Sequence, residues 1–166
     1  MSNIAFEKWS RTKSAKLFLG LASGFVLLAA SSQVQAKEQI MQCIQAASQY
    51  HRVNPDIMTA IVMVESSMRP NVVNNNKNGT TDYGLTGINS LHIHEGMKLA
   101  QYGIRERELS NPCVSIYVGA WHLSRMMQRY GNDWYAIGAY HSVTPQHNQK
   151  YQRLVANALQ KVRYRQ

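Results

Sequence analysis

The chain has 166 residues and carries 18 Lys and Arg against 9 Asp and Glu, which gives a net charge of +9. This length suggests one domain, and the sequence shows no internal repeat and no linker that would set off a second one. The charge favours an anionic polymer, a membrane surface or nucleic acid as partner, but no aromatic-and-basic nucleic-acid motif accompanies it, so nucleic acid is not expected.

Residues 1–36 have the pattern of a secretory signal peptide. Basic residues precede the apolar stretch LFLGLASGFVLLAA, which is short for a membrane span, and VQA at 34–36 supplies small residues for a signal peptidase. Cleavage after Ala36 would leave residues 37–166 as the mature domain. Four basic residues and one acid lie within 1–36, so +6 of the +9 belongs to that domain. An uncleaved membrane anchor is the alternative.

The first helix of the mature domain is predicted over about residues 37–51, where apolar residues recur at the spacing of one helix face. These residues are Ile40, Cys43, Ile44 and Ala47. The second predicted helix follows Asn54, a good cap, with Pro55 at its first position, and ends before Pro70.

Glu65 lies near the C-terminal end of this second helix, at the edge of its apolar face. Desolvation and the negative end of the helix dipole both disfavour the ionised carboxylate. Such a group keeps its proton near neutral pH and can act as a general acid. The alternative is a solvated glutamate at a helix end.

The middle of the chain has little helical pattern. Residues 71–82 contain five asparagines and are predicted to form a loop. DYGLTGINS, at 82–90, predicts a turn or small hairpin, and one or two short helices are expected from there to about Glu108. His92 and His94 lack an evident third ligand, so no metal site is predicted.

Three helices are predicted in the last third of the chain. The first begins at the NPC motif, 111–113, and ends at Gly131; the second covers 134–140; the third begins near Pro145. The buried stripe of the first is predicted to be Cys113, Ile116, Tyr117, Ala120 and Trp121. That of the third is predicted to be Tyr151, Leu154, Val155, Ala158, Leu159 and Val162.

The chain contains two cysteines, Cys43 and Cys113. An even count in an exported protein favours one disulfide between them, which would close a loop of about 70 residues. Two buried free thiols are the alternative.

Four segments, in chain order, resemble the small lytic transglycosylases of bacteria, most closely the short forms that accompany secretion systems, conjugation machinery and pili. They are VNPDIMTAIVMVESSMRP, NNN followed by DYGLTGINS, NPCVSIYVGAWHL, and DWYAIGAYHS. The resemblance covers about residues 40–151. It implies a mainly α, lysozyme-like single domain of the SLT type, with a short turn or β-hairpin beside the cleft.

The resemblance also implies an activity. The substrate would be peptidoglycan, cut at the β-1,4 bond from N-acetylmuramic acid to N-acetylglucosamine, with formation of a 1,6-anhydro ring and without cofactor or metal. Glu65 would be the single catalytic carboxylate. The protein would be periplasmic and would open the wall locally for an envelope-spanning apparatus, whose components are implied partners.

The resemblance carries further site positions onto this sequence. The substrate-binding candidates are Ser66, Tyr83, Gly84, Thr86, Asn89, Tyr140 and His141. Three positions depart from the family pattern: Thr86 and Gly87 replace a Met-Gln pair, and His141 replaces an asparagine. Loss of the methionine is expected to weaken one sugar subsite by ~1 kcal/mol. The alternatives are a catalytically weak wall-binding or assembly factor that keeps the fold, and a muramidase.

Overall fold

The computed structural model describes the backbone of residues 14–164, and the side chains from residue 33 onward. The chain divides into two compact units, residues 1–39 and residues 40–166. Most of the basic start of the predicted signal peptide lies outside the described residues. Signal cleavage and the domain boundary at residue 37 stay predictions. Within the described part, no helix has both the length and the hydropathy that crossing a membrane requires.

The first helix, α1 (Ser14–His51), begins well before the predicted start near residue 37. The sequence between residues 14 and 37 is rich in Leu and Ala and has no proline, so nothing in it terminates a helix. The second helix, α2 (Pro55–Ser66), agrees with its prediction. Asn54 caps it, accepting hydrogen bonds from the backbone N–H groups of the first turn, and it ends at a left-handed residue, Ser67.

A small antiparallel sheet follows, with strands β1 (Val73–Asn75), β2 (Thr81–Tyr83) and β3 (Ile88–Asn89) in that order. The predicted hairpin at 82–90 is confirmed by the pairing of β2 with β3. The predicted loop at 71–82 is wrong in part, because it contains β1 and most of β2. A polar strand of three residues has no apolar alternation, so its sequence gives no strand signal.

Short helical segments connect the sheet to the second half of the domain. A 3-10 turn (Ser90–His92) precedes α3 (Lys98–Gln101) and α4 (Glu106–Leu109), as the sequence predicted. Beneath the sheet they contribute to a small apolar cluster. It comprises Ile88, Ile93, Leu99, Leu109 and Val118.

The three last helices agree with their predicted bounds. They are α5 (Pro112–Tyr130), α6 (Trp134–Ala139) and α7 (Pro145–Arg163). Asn111 caps α5 by accepting from Cys113 and Val114, and Gly131 ends it with φ of 100°. A proline at the first position and an asparagine before it thus set the start of α5, as they do for α2.

The main core lies where α2 packs against α7, and α6 packs against both α5 and α7. Two residues assigned to buried stripes are exposed: Leu154 at 45% and Tyr117 at 37%. Each lies one position from the centre of its stripe, since α7 buries Tyr151 and Val155 and α5 buries Ile116 and Ala120. Helical spacing alone is compatible with burial of residues at the edge of a stripe. Whether they are buried depends on how the neighbouring helices pack.

A disulfide joins Cys43 on α1 to Cys113 in the first turn of α5. It links residues 70 apart in the sequence, with Cα atoms 5.3 Å apart. The bond therefore ties the start of the domain to the helix that supports the sheet.

Replacing both cysteines, Cys43→Ala with Cys113→Ala, is expected to lower the free energy of unfolding by about 4 kcal/mol, because the unfolded chain loses a long covalent loop. Urea unfolding followed by circular dichroism, on oxidised wild type and the double variant, measures this. Equal midpoints and slopes for the two proteins would contradict it.

Candidate active site

Glu65 lies in the last turn of α2, and groups from two other parts of the chain meet its carboxylate. The Tyr151 hydroxyl on α7 donates a hydrogen bond to Oε1. On the other oxygen, a Cβ built on Gly87 would lie only 2.5 Å from Oε2. Gly87 also has φ of +61°, a conformation that favours glycine. The carboxylate is therefore held by α7 and approached closely by the turn between β2 and β3.

Burial is the main cause that raises the pKa of Glu65, from 4.5 to about 7. The hydrogen bond from Tyr151 lowers this pKa, and the negative charge of Asp82 raises it. Near neutral pH the protonated and ionised forms of Glu65 are therefore both populated. A group in this state can give a proton and later take one back in the same cycle.

Glu65 opens onto a cleft of about 570 Å³ between the sheet and the α5–α6 region. The lining residues that matter below are Asn76, Asp82, Gly87, Asn89, His92, His122, Tyr140 and His141. A second pocket, of about 250 Å³, is lined by the α7 residues Lys150, Tyr151 and Leu154 and shares Glu65 with the cleft. The acid therefore lies where two depressions of the surface meet.

Asp82, on β2, is a second carboxylate in the cleft. Its two oxygens accept hydrogen bonds from the side-chain amides of Asn76, at 2.9 Å, and Asn89, at 2.6 Å. Acceptance from two amides holds the aspartate in one orientation. The sequence interpretation did not assign Asp82 a role, although its place at the start of the hairpin motif was the available signal.

Tyr140 and His141 both line the cleft, and their contact with substrate stays a prediction. The buried Tyr140 hydroxyl donates to the Thr86 carbonyl at 2.7 Å. The exposed His141 stacks on the Tyr151 ring, with centroids 5.0 Å apart and planes within 7°. Loss of solvation on its covered face is the main cause that lowers the His141 pKa. Tyr140 also stacks on the Tyr151 ring, with centroids 6.1 Å apart, so both residues contact the donor to Glu65.

Other predicted contact residues lie behind the cleft wall. Ser66 is buried and donates to the Val62 carbonyl. Thr86 is fully buried, and its hydroxyl donates to the Ser115 carbonyl at 2.7 Å. Gly84 is also buried against Ser115. The hydroxyls of Ser66 and Thr86 are thus engaged behind the cleft wall, and Gly84 has no side chain. None of these three residues is among those that line the cleft, and their contact with substrate stays a prediction.

Of the two remaining predicted positions, Asn89 lines the cleft and Tyr83 does not. Asn89 lines the cleft and donates to Asp82, so its amide supports the second carboxylate. Tyr83 is half-buried and packs against the apolar cluster under the sheet, outside the lining of the cleft. Of the two predicted hairpin positions, Asn89 lines the cleft together with the unpredicted Asp82, and substrate contact by Tyr83 stays a prediction.

Sequence interpretation also missed a pair of histidines, His92 and His122, whose rings are 5.1 Å apart. Nε2–H of His122 donates to the Tyr140 carbonyl at 3.1 Å, because a carbonyl oxygen can only accept. Burial, and to a smaller extent the neighbouring His92, lower the pKa of His122 to about 4. Among the described residues, no three His, Cys, Asp or Glu side chains gather in a way that could hold a metal ion.

Comparisons with known proteins agree in pointing to one family. The family model described as Transglycosylase SLT domain matches residues 42–162. Invasion protein IagB of Salmonella typhimurium is 40% identical over 103 residues, which cover 61% of this chain and 62% of IagB. Protein IpgF of Shigella flexneri is 35% identical over 103 residues, covering 61% and 66%. X polypeptide of Escherichia coli is 33% identical over 121 residues, covering 72% and 70%. The match thus spans less than two thirds of the length of IagB.

Glu65→Gln is expected to make the protein more stable relative to wild type as the pH rises. The folded state keeps a proton on Glu65 up to about pH 7, whereas the unfolded state loses it near 4.5, so wild-type stability falls between these values. The relative gain of the variant should reach about 3 kcal/mol. Urea unfolding of both proteins between about pH 4 and pH 8 measures it, with the exposed Glu106→Gln as control. A gain that does not change with pH would contradict the raised pKa.

Tyr151→Phe is expected to raise the pKa of Glu65. In wild type the hydrogen bond from Tyr151 stabilises the ionised carboxylate, and the variant lacks this bond. Carbon-13 NMR titration of the labelled Glu65 carboxyl group measures the change directly. Tyr135→Phe, at an exposed residue of α6, is the matched control. An unchanged or lower pKa in Tyr151→Phe would show that Tyr151 does not stabilise the anion.

Proposed function

The chain belongs to the transglycosylase SLT domain family, and on this premise we propose that it is a peptidoglycan lytic transglycosylase. It would cleave the β-1,4 bond from N-acetylmuramic acid to N-acetylglucosamine and leave a 1,6-anhydro ring on the muramyl product. The single observation that carries the proposal is Glu65: a carboxyl group with a pKa raised to about 7 by burial, at the meeting point of a cleft and a pocket.

In the proposed mechanism Glu65 acts twice. As an acid, it protonates the glycosidic oxygen while the bond from this oxygen to the muramyl anomeric carbon breaks. The substrate's 2-acetamido group stabilises the cationic carbon. As a base, the resulting carboxylate takes the proton of the muramyl 6-hydroxyl, whose oxygen bonds to the anomeric carbon. Glu65 ends protonated, so the cycle balances without water.

The neighbours of Glu65 support this double role. A pKa near 7 makes both proton transfers accessible at neutral pH. Tyr151 fixes the orientation of the carboxyl group, and its hydrogen bond opposes part of the effect of burial. Gly87 leaves the second oxygen free of a covering side chain. In this proposal Glu65 is the catalytic residue, and Asn89, Tyr140 and His141 line the substrate cleft.

A muramidase is the second candidate, and Asp82 is the observation that favours it. Glycosidases that hydrolyse commonly use two carboxylates in one cleft, and Asp82 provides a second one here. Its charge also acts on Glu65, whose pKa it raises. In the muramidase, water would replace the 6-hydroxyl as nucleophile and the product would carry a reducing end.

The place of action is also proposed. The N-terminal signal pattern and the peptidoglycan substrate together favour the periplasm. There the enzyme would open the wall locally for an envelope-spanning apparatus. The name of the relative Invasion protein IagB is consistent with such a setting for that protein. A weak wall-binding or assembly factor that keeps the fold is the rival, but such a protein has no need of a buried acid with a raised pKa.

Glu65→Gln is expected to reduce cleavage of purified sacculi by about 10²–10⁴-fold, because the amide neither gives nor takes the proton. Mass spectrometry of the released muropeptides should show 1,6-anhydro products from wild type. Glu106→Gln, at an exposed glutamate outside the cleft, is the control for a charge change.

The products separate the candidates. If wild type releases products with reducing ends and Asp82→Asn does not, the protein is a muramidase and the transglycosylase proposal is wrong. Wild-type-like release by Glu65→Gln would exclude both enzymes as drawn.

A further inference from the structure

The 250 Å³ pocket beside Glu65 has an unusual combination of walls. Its apolar surface comes from Val64 on α2 and Leu154 on α7, and its polar edge from His147 and Lys150 on α7. His147, Lys150 and Leu154 recur at i, i+3 and i+7, so they form one stripe along the helix. All three are exposed, so the stripe is open to solvent.

The charge at this pocket is positive. Lys150 forms no ion pair with any carboxylate among the residues that the structure describes. Its charge and that of His147 both lower the pKa of the neighbouring His141. Burial raises the pKa of Glu65, the acid that shares the pocket, to about 7, so its carboxyl group is mostly neutral below that pH and only partly ionised near it. A ligand group that enters here therefore meets an uncompensated cation above an apolar surface.

Peptidoglycan has one kind of group that fits these walls. The sugar rings and acetamido groups of the glycan are neutral, and its negative charge lies on the muramyl 3-O-lactyl substituent. That charge is a free lactyl carboxylate or, when a stem peptide is attached, the carboxylates of the peptide. The same substituent carries methyl groups. It hangs from the sugar whose anomeric carbon must face Glu65, so it lies within one ring of the bond that is cleaved.

We propose that this pocket binds the muramyl 3-O-substituent of the substrate, with Lys150 on a carboxylate and Val64 and Leu154 against its methyl groups. His147 adds a hydrogen-bond donor one turn before Lys150. The inference rests on the proposed function, since it assumes a muramyl residue at Glu65. Lys150 is a specificity residue in this scheme and takes no part in proton transfer.

The test uses three soluble forms of glycan strand. One carries intact stem peptides; the second is treated with an amidase and keeps only lactyl carboxylates; the third carries stem peptides whose carboxyl groups are methyl-esterified. Lys150→Met is expected to raise KM about tenfold on a strand that presents the bound carboxylate, the effect of losing one charge-assisted hydrogen bond, with little change in kcat. It should not change KM on the esterified strand. Lys161→Met, an exposed lysine on the same helix outside the pocket, is the control.

The pattern across the strands identifies the carboxylate. A raised KM on the amidase-treated form alone assigns the lactyl carboxylate, and a raised KM on the peptide-bearing form alone assigns the stem peptide. A raised KM on both of these forms shows that Lys150 binds whichever carboxylate the substituent presents. Equal KM values for Lys150→Met and Lys161→Met on all three forms would overturn the inference and leave the proposed function standing.

A measurement without turnover separates this failure from that of the proposed function. Calorimetric titration of the peptide-bearing and amidase-treated strands into Glu65→Gln, with and without Lys150→Met, reports binding alone. About tenfold weaker binding of the double variant to either strand supports the pocket even if wild type cleaves nothing. If each strand binds Glu65→Gln and the double variant with the same affinity, the proposal for the pocket is overturned.

Discussion

The contact of α2 with α7 is the constraint on which the rest of the site depends. It partly buries the last turn of α2 and brings the Tyr151 hydroxyl onto a carboxylate 86 residues away in the sequence. Burial destabilises the ionised form of Glu65, and this is why its pKa is raised. The apolar core of α2 and α7 supplies the stability that allows a titratable group to be held there.

The small sheet contributes little to the main core. It forms the wall of the cleft opposite the helices. Two hydrogen bonds hold its turn: the Thr86 hydroxyl donates to the Ser115 carbonyl of α5, and the Thr86 carbonyl accepts from Tyr140, the residue that follows α6. A Cβ on Gly119 of α5 would lie 2.6 Å from Thr86, so α5 and the turn are in close contact. The departures at Thr86 and Gly87 therefore act within the wall. The threonine fastens the turn to α5, and the glycine permits the turn to approach Glu65.

The sequence predicted those parts of the fold that local chemistry determines. The capping asparagines at 54 and 111, each followed by proline, mark the starts of α2 and α5, and the hairpin motif marks the turn beside the cleft. The rest depends on contacts between distant segments. Tyr151 was assigned to a buried stripe correctly, but the stripe does not reveal that its hydroxyl reaches Glu65. Leu154 fits the same stripe and is exposed, because α2 covers only part of α7.

The histidines of the cleft illustrate why burial matters for the acid as well as for the core. Burial lowers the pKa values of His92 and His122. Partial burial against Tyr151 likewise lowers the pKa of His141. These rings therefore stay neutral near neutral pH. A protonated histidine beside Glu65 would favour the carboxylate and pull its pKa down, which would remove the acid. Neutral rings supply hydrogen-bond donors and acceptors without this effect. On α7, Lys150 places a cation at the edge of the pocket that shares Glu65 with the cleft, so a positive charge and a protonatable carboxyl group line one pocket.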